Sequence, residues 1–159
     1  MNAKRYVALL PLFLAPLVIA KAKDDPVIST LATCQQSMFD WSDPERQKRI
    51  LEKFESKADY AIKRGCYLIP RKPATLLGFR VIELSPTGLG KAPGFSALVE
   101  GRFDTVRHSL EAHIGHKLEQ CYGPKGGRLC VRKVDDERRI MLRENKTKTL
   151  VGCSYPNQK

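Results

Sequence analysis

The chain has 159 residues, with 28 Lys and Arg against 17 Asp and Glu, a formal charge of +11, and 42% hydrophobic but only 8% aromatic residues. That is the length of one ordinary domain with enough aliphatic side chains for a buried core, which excludes a large multidomain enzyme and a wholly disordered chain. Five cysteines are too few for a dense disulfide scaffold, yet they matter in a chain bound for an oxidising compartment.

Lys4 and Arg5 precede an almost wholly apolar run from Tyr6 to Ala20, and Ala20-Lys21-Ala22 matches the A-x-A pattern of a peptidase that accepts only small side chains. Residues 1–22 therefore read as a signal peptide and 23–159 as a single exported α+β domain, periplasmic or secreted. The run is shorter than the roughly 20 apolar residues of a membrane span and carries Pro11 and Pro16, so no transmembrane anchor is expected after cleavage. Cleavage removes Lys4, Arg5 and Lys21 but no acid, and the charge falls from +11 to +8.

In the first segment, Lys23 to Trp41, Ser29-Thr30-Leu31 is expected to open a short helix around Cys34. A longer helix follows: Asp43 caps it, Pro44 suits its first turn, and Gly65 stops it after Lys63 and Arg64. Ile50, Leu51, Phe54, Ala58, Ala61 and Ile62 fall on one stripe of that helix. Its other face carries Glu45, Arg49, Glu52, Lys53, Asp59 and Lys63, with Glu45/Arg49 and Asp59/Lys63 four residues apart, the offset that favours ion pairs.

Pro70-Arg71-Lys72-Pro73 interrupts the chain before a strand from Leu76 to Leu84. Ser85 to Gly94 is a loop rich in Pro and Gly, and its Gly-x-Gly lacks the Gly-Lys-Ser/Thr ending of a phosphate-cradling loop. Phe95 to Glu100 forms a second strand. Asp104 then caps a helix carrying Val106, Leu110 and Ile114, which Gly115 ends. Two helices are thus expected to pack on a mostly antiparallel, disulfide-stabilised sheet whose last part is a four-strand meander.

In that meander, a turn centred on Asp135-Asp136 pairs Val134 with Glu137, Val131 with Ile140 and Leu129 with Leu142, collecting aliphatics on one face. The opposite face then gathers Arg128, Arg132, Arg139 and Arg143, the expected binding residues. A turn near Gly123 to Gly127 sets Cys121 across from Cys130 and Glu119 across from Arg132; a turn at Asn145-Lys146 pairs Ile140 with Val151. The favoured bridges are Cys34–Cys66 and Cys121–Cys130, which leaves Cys153 free to join a second copy; Cys66–Cys153 is the alternative.

No catalytic constellation stands out. His108 and His113 are five apart, off a shared helical face, and with His116 match no zinc spacing; no metal or other cofactor is expected. Asp135, Asp136 and Glu137 read as a turn rather than an acid/base pair, and Asn145-Lys146-Thr147 is a formal glycosylation acceptor. Like charges facing across strands destabilise a sheet, and an anionic partner would relieve them. The expected function is therefore non-enzymatic binding, as an accessory, inhibitor or immunity-type protein, to an acidic protein or an anionic envelope component. Nucleic acid is disfavoured for want of interleaved aromatics. The alternatives are an exported hydrolase of an envelope polymer using His113 or an unidentified carboxylate, and a structural envelope component joined through Cys153.

Overall fold

A computed structural model of the chain describes residues 23–36, 44–63, 67–86, 94–123 and 127–156. The expected signal peptide, the Asp43 cap, the Gly65 stop and most of the Ser85–Gly94 loop lie outside them. Three helices and nine strands are described: α1 (Pro26–Ala32), α2 (Pro44–Glu55), β1 (Tyr60–Lys63), β2 (Tyr67–Pro70), β3 (Thr75–Leu76), β4 (Phe79–Ser85), β5 (Gly94–Val99), α3 (Phe103–Ile114), β6 (Gln120–Tyr122), β7 (Leu129–Lys133), β8 (Arg139–Asn145) and β9 (Lys148–Ser154). The class is α+β, with a larger sheet than expected and three helices where two were expected to pack on it.

Every strand pairing is antiparallel, in the order β1-β2-β4-β5-β9-β8-β7-β6, with β3 paired to β4. The C-terminal meander β6–β9 joins the N-terminal strands through β9, which runs beside β5 from Gly94↔Ser154 to Val99↔Thr149. At that seam the backbones approach so closely that a Cβ on Gly94 would collide with the Cys153 carbonyl oxygen. Alternation places Phe95, Ala97, Val99, Val151, Cys153, Ile140 and Leu142 on one sheet face, where all are buried. Ile28 and Leu31 of α1 and Val106 and Leu110 of α3 close over that face, α1 against β5 and β9 and α3 against β8 and β9.

Helix α1 begins earlier than expected. Asp25, not the Ser29-Thr30 pair, is its cap: the carboxylate accepts from the Val27 and Ile28 N–H groups at 2.9 and 3.0 Å, and Pro26 suits the first turn. Ser29 and Thr30 lie inside the helix. Thr30 Oγ1 donates back to the Pro26 carbonyl, and the chain leaves through Cys34 at φ +59°. The Asp25 carboxylate also receives Lys53 Nζ at 2.7 Å, which ties the start of α1 to α2.

Helix α2 is shorter than its apolar stripe implied. It stops at Glu55, and Ala58, Ala61 and Ile62 belong to a turn and an edge strand. Ser56 decides the exit: its carbonyl accepts the Asp59 and Tyr60 N–H groups, and its hydroxyl donates to the Asp59 carboxylate. Tyr60 then packs its ring 5.6 Å from Phe54, itself 5.4 Å from Phe95, so an aromatic chain continues the stripe that the helix abandons. Asp59 pairs with Lys72 at 2.8 Å; the Lys63 side chain of the expected Asp59/Lys63 pair lies outside what the structure describes. Of the expected stripe, Ile50 and Phe54 are buried, while Leu51 and Ile62 face solvent.

Two further differences follow from turns. Leu77-Gly78, both at positive φ, splits the expected strand over Leu76 to Leu84 into the β3–β4 hairpin. The β8–β9 turn lies at Lys146-Thr147, so Ile140 faces Cys153 instead of Val151; a shift of two residues keeps every side chain on its expected face. Helix α3 ends where expected, with Gly115 at φ +70° as its C-cap, but it begins earlier: Arg102 occupies the N-cap position and the expected cap, Asp104, lies in the first turn.

Two disulfides are formed, Cys34–Cys153 and Cys121–Cys130. The first replaces the expected Cys34–Cys66 bridge. Cys34 follows the C-cap of α1 above the buried C-terminal end of β9, where alternation points Cys153 inward, and their Cα atoms stand 5.1 Å apart. Cys153 is therefore neither a spare thiol nor a link to a second copy. The alternative Cys66–Cys153 bridge falls with it, and Cys66 lies outside the described residues. Cys121 and Cys130 are directly opposed on β6 and β7. Among the described residues, no helix is long and apolar enough to cross a membrane.

Candidate functional site

The β7–β8 hairpin decides where the basic residues go. Its turn is one residue longer than expected: the Asp135 carboxylate accepts from the N–H groups of Glu137 and Arg138 at 3.0 and 2.6 Å, and Val134 N–H donates to the Arg138 carbonyl at 2.9 Å. An Asx turn of this kind organises the loop around the carboxylate. The pairs become Lys133↔Arg139, Arg132↔Ile140, Val131↔Met141, Cys130↔Leu142 and Leu129↔Arg143. The Val131–Ile140 and Leu129–Leu142 pairs are thus overturned. Because side chains alternate, a one-residue slip turns β7 over relative to β8 and divides the four-arginine face into two pairs.

Arg128 and Arg132 fall on the helix side, and both have acidic partners. Arg128 grips Glu144 through Nε and Nη2, both at 3.2 Å, and Asp104 through Nη1 and Nη2 at 2.7 and 3.1 Å. Its guanidinium carbon stands 4.3 Å above the Phe103 ring. The hydrogen bonds from Arg128 hold the Glu144 carboxyl below its usual range. This residue clamps the meander to α3. Arg132 Nη1 donates to Glu119 Oε1 at 2.8 Å and to the Lys117 carbonyl at 3.1 Å.

Arg139 and Arg143 lie on the other face of β8, exposed, with Met141 between them. Neither has an ion-pair partner among the described residues. Their neighbours on that face are Leu129, Val131 and Lys133 of β7 and Lys148 and Leu150 of β9, all half-buried except the exposed Lys133. Lys133 is paired with Asp136 in the adjoining turn. The surface is a strip of aliphatic and thioether side chains edged by cations. At its end, a cavity of about 630 Å³ is lined by Gly127, Arg143, Glu144, Asn145, Lys146 and Leu150.

On the helix side, a second cleft of about 410 Å³ lies where the ends of α1 and α3 meet the β7–β8 hairpin. It brings together Gln35, His113, His116, Arg132 and Arg138 above Ile114, Val134 and Ile140. The histidines converge here because Gly115 reverses the chain after α3, a consequence that helical spacing does not reveal. His113 Nε2 lies 3.2 Å from Gln35 Nε2, and Arg138 donates to the Cys34 carbonyl and to Asp135. No carboxylate lines the cleft among the described residues, so it holds no His–carboxylate pair for general base catalysis. His108 is exposed elsewhere on α3. Asp135 organises the hairpin turn and Asp136 pairs with Lys133, while Asn145 closes the β8–β9 turn opposite Lys148. Among the described residues, no group of three or more His, Cys, Asp or Glu is arranged to hold a metal ion.

Comparison with protein-family models, curated proteins and solved structures returns no match to this chain.

Proposed function

We propose that this is an exported, non-enzymatic binding protein that engages an acidic protein surface through the outer face of β7, β8 and β9. The observation that carries this reading is the contrast within one hairpin. Arg128 and Arg132 are held by acids of the same chain, whereas Arg139 and Arg143 are exposed on the opposite face without an ion pair among the described residues. Guanidinium forks beside Met141, Val131 and Leu150 match the enrichment of Arg and Met at protein contact surfaces. Two intramolecular disulfides and the apolar leader ending in Ala20-Lys21-Ala22 support passage through an oxidising compartment, periplasmic or extracellular.

The test is capture by the immobilised mature protein from a native envelope extract, before and after protease treatment, together with vesicles containing an anionic lipid. The proposal requires a protease-sensitive partner whose capture falls as salt rises. Reversing Arg139 and Arg143 to Glu should weaken it about tenfold and flatten its salt dependence, while the circular dichroism spectrum stays unchanged. Capture unaffected by the double reversal removes the reading. Binding that survives protease or appears on the vesicles transfers the surface to an anionic envelope component.

A further inference from the structure

Arg132 has a second property that its ion pair does not use. A guanidinium carries five N–H donors, and the Nε and Nη2 groups form the side-on fork that matches the two oxygens of a carboxylate. The two acceptors that Arg132 meets, Glu119 Oε1 and the Lys117 carbonyl, are both taken by Nη1. The side-on fork has no acceptor among the described residues. Arg128 and Arg138 differ: each uses its Nε–Nη2 edge on a carboxylate, Glu144 and Asp135 respectively. The Arg132 side chain is 20% exposed, and its open donors are left to solvent or to a ligand.

Arg132 lines the cleft of about 410 Å³ on the helix side of the sheet. Its rim adds Arg138, His113, His116 and Gln35, all able to donate hydrogen bonds, and its apolar wall is Ile114, Val134 and Ile140. We infer that the cleft binds a carboxylate attached to a compact apolar body, with the carboxylate oxygens on the Nε–Nη2 edge of Arg132 and the hydrocarbon against Ile114 and Ile140. The apolar wall favours such a ligand over inorganic phosphate, which would leave Ile114, Val134 and Ile140 in contact with a strongly hydrated ion. Two sources share this chemistry, a free branched-chain acid and the carboxyl terminus of a polypeptide. The site lies on the opposite side of the sheet from Arg139 and Arg143 and does not depend on the function proposed for them.

The experiment follows the Arg132 Nε–Hε signal by NMR in the intact mature protein during titration with isovalerate, N-acetyl-leucine, N-acetyl-leucinamide and inorganic phosphate. Saturable shifts of that signal and of the His113 ring with an acid, and not with the amide, are expected. Isovalerate as the tighter ligand points to a free acid, and N-acetyl-leucine to a chain terminus. Arg132→Lys, which keeps the charge but lacks the fork, should weaken binding about tenfold, whereas Glu119→Gln, which leaves the fork intact, should not weaken it. The wild-type signal decides the matter even if an Arg132 variant does not fold. No saturable shift with either acid, equal shifts with the amide, or stronger binding of phosphate overturns the inference.

Discussion

Arg132 faces Ile140 across the β7–β8 hairpin, a guanidinium opposite an aliphatic side chain, and this single pairing reorganises the charge of the whole meander. Had Ile140 faced Val131, four arginines would have shared one surface. Instead two of them secure the sheet to α3 and to the chain before β6, and two remain on the outer face. The hairpin register therefore separates the arginines held by acids of the same chain from those exposed on the outer face.

The Cys34–Cys153 bridge closes a loop with a sequence separation of 119 and fastens α1 to the central strand, whereas Cys121–Cys130 closes a separation of only 9 within one hairpin. On loop-entropy grounds the long bridge should contribute about 4–5 kcal/mol and the short one about 2.5 kcal/mol. Paired Cys→Ser variants followed by urea unfolding should show the larger loss for Cys34 with Cys153. Non-reducing peptide mapping should recover that linkage; recovery of Cys34 joined to Cys66 would refute it.

Glu111 is a buried carboxylate at the end of α3. Burial alone would raise its pKa, but hydrogen bonds from Lys117 Nζ, the Leu118 N–H and Arg107 Nε outweigh this and hold it at about 2, below the ordinary 4.5. A carboxylate lowered in the folded state contributes its full stability above pH 4.5 and loses it as the pH falls through about 2. Glu111→Gln should cost about 1–3 kcal/mol at neutral pH, and the variant should show less acid loss across that window than the wild type. Equal acid slopes would show that Glu111 does not set this limb.

Asp25 both caps α1 and receives Lys53. Asp25→Ala should destabilise the protein by about 1–2 kcal/mol. Asp25→Asn should lose less, because an amide oxygen still caps while only the charge attraction to Lys53 is removed. Chemical denaturation of the two variants side by side checks the order, and Asn costing more than Ala would contradict it.

The elements that were legible from sequence are those with local signals. Helix α3 ends at a glycine, the Cys121–Cys130 opposition follows from a short turn, and the β8–β9 faces survive a two-residue shift because alternation has period two. The basic site was only half legible. Arg139 and Arg143 stand on a common face, but Arg128 and Arg132 do not join them, because the Asp135 side chain lengthens the turn by one residue. The Asp-rich turn was visible; its capture of two N–H groups was the detail that mattered.

By itself, the amino-acid sequence determined composition, charge excess, the α+β alternation and the presence of inward- and outward-facing positions, since these depend on residues a few places apart. The tertiary structure decided which inward positions meet. It shortened α2 because Tyr60 packs on Phe54, joined Cys34 to Cys153 across the core, and gathered two histidines and two arginines where α3 meets the β7–β8 hairpin. Such pairings depend on the whole sheet closing over one core, and segments that come together from far apart in the chain carry no local mark of it.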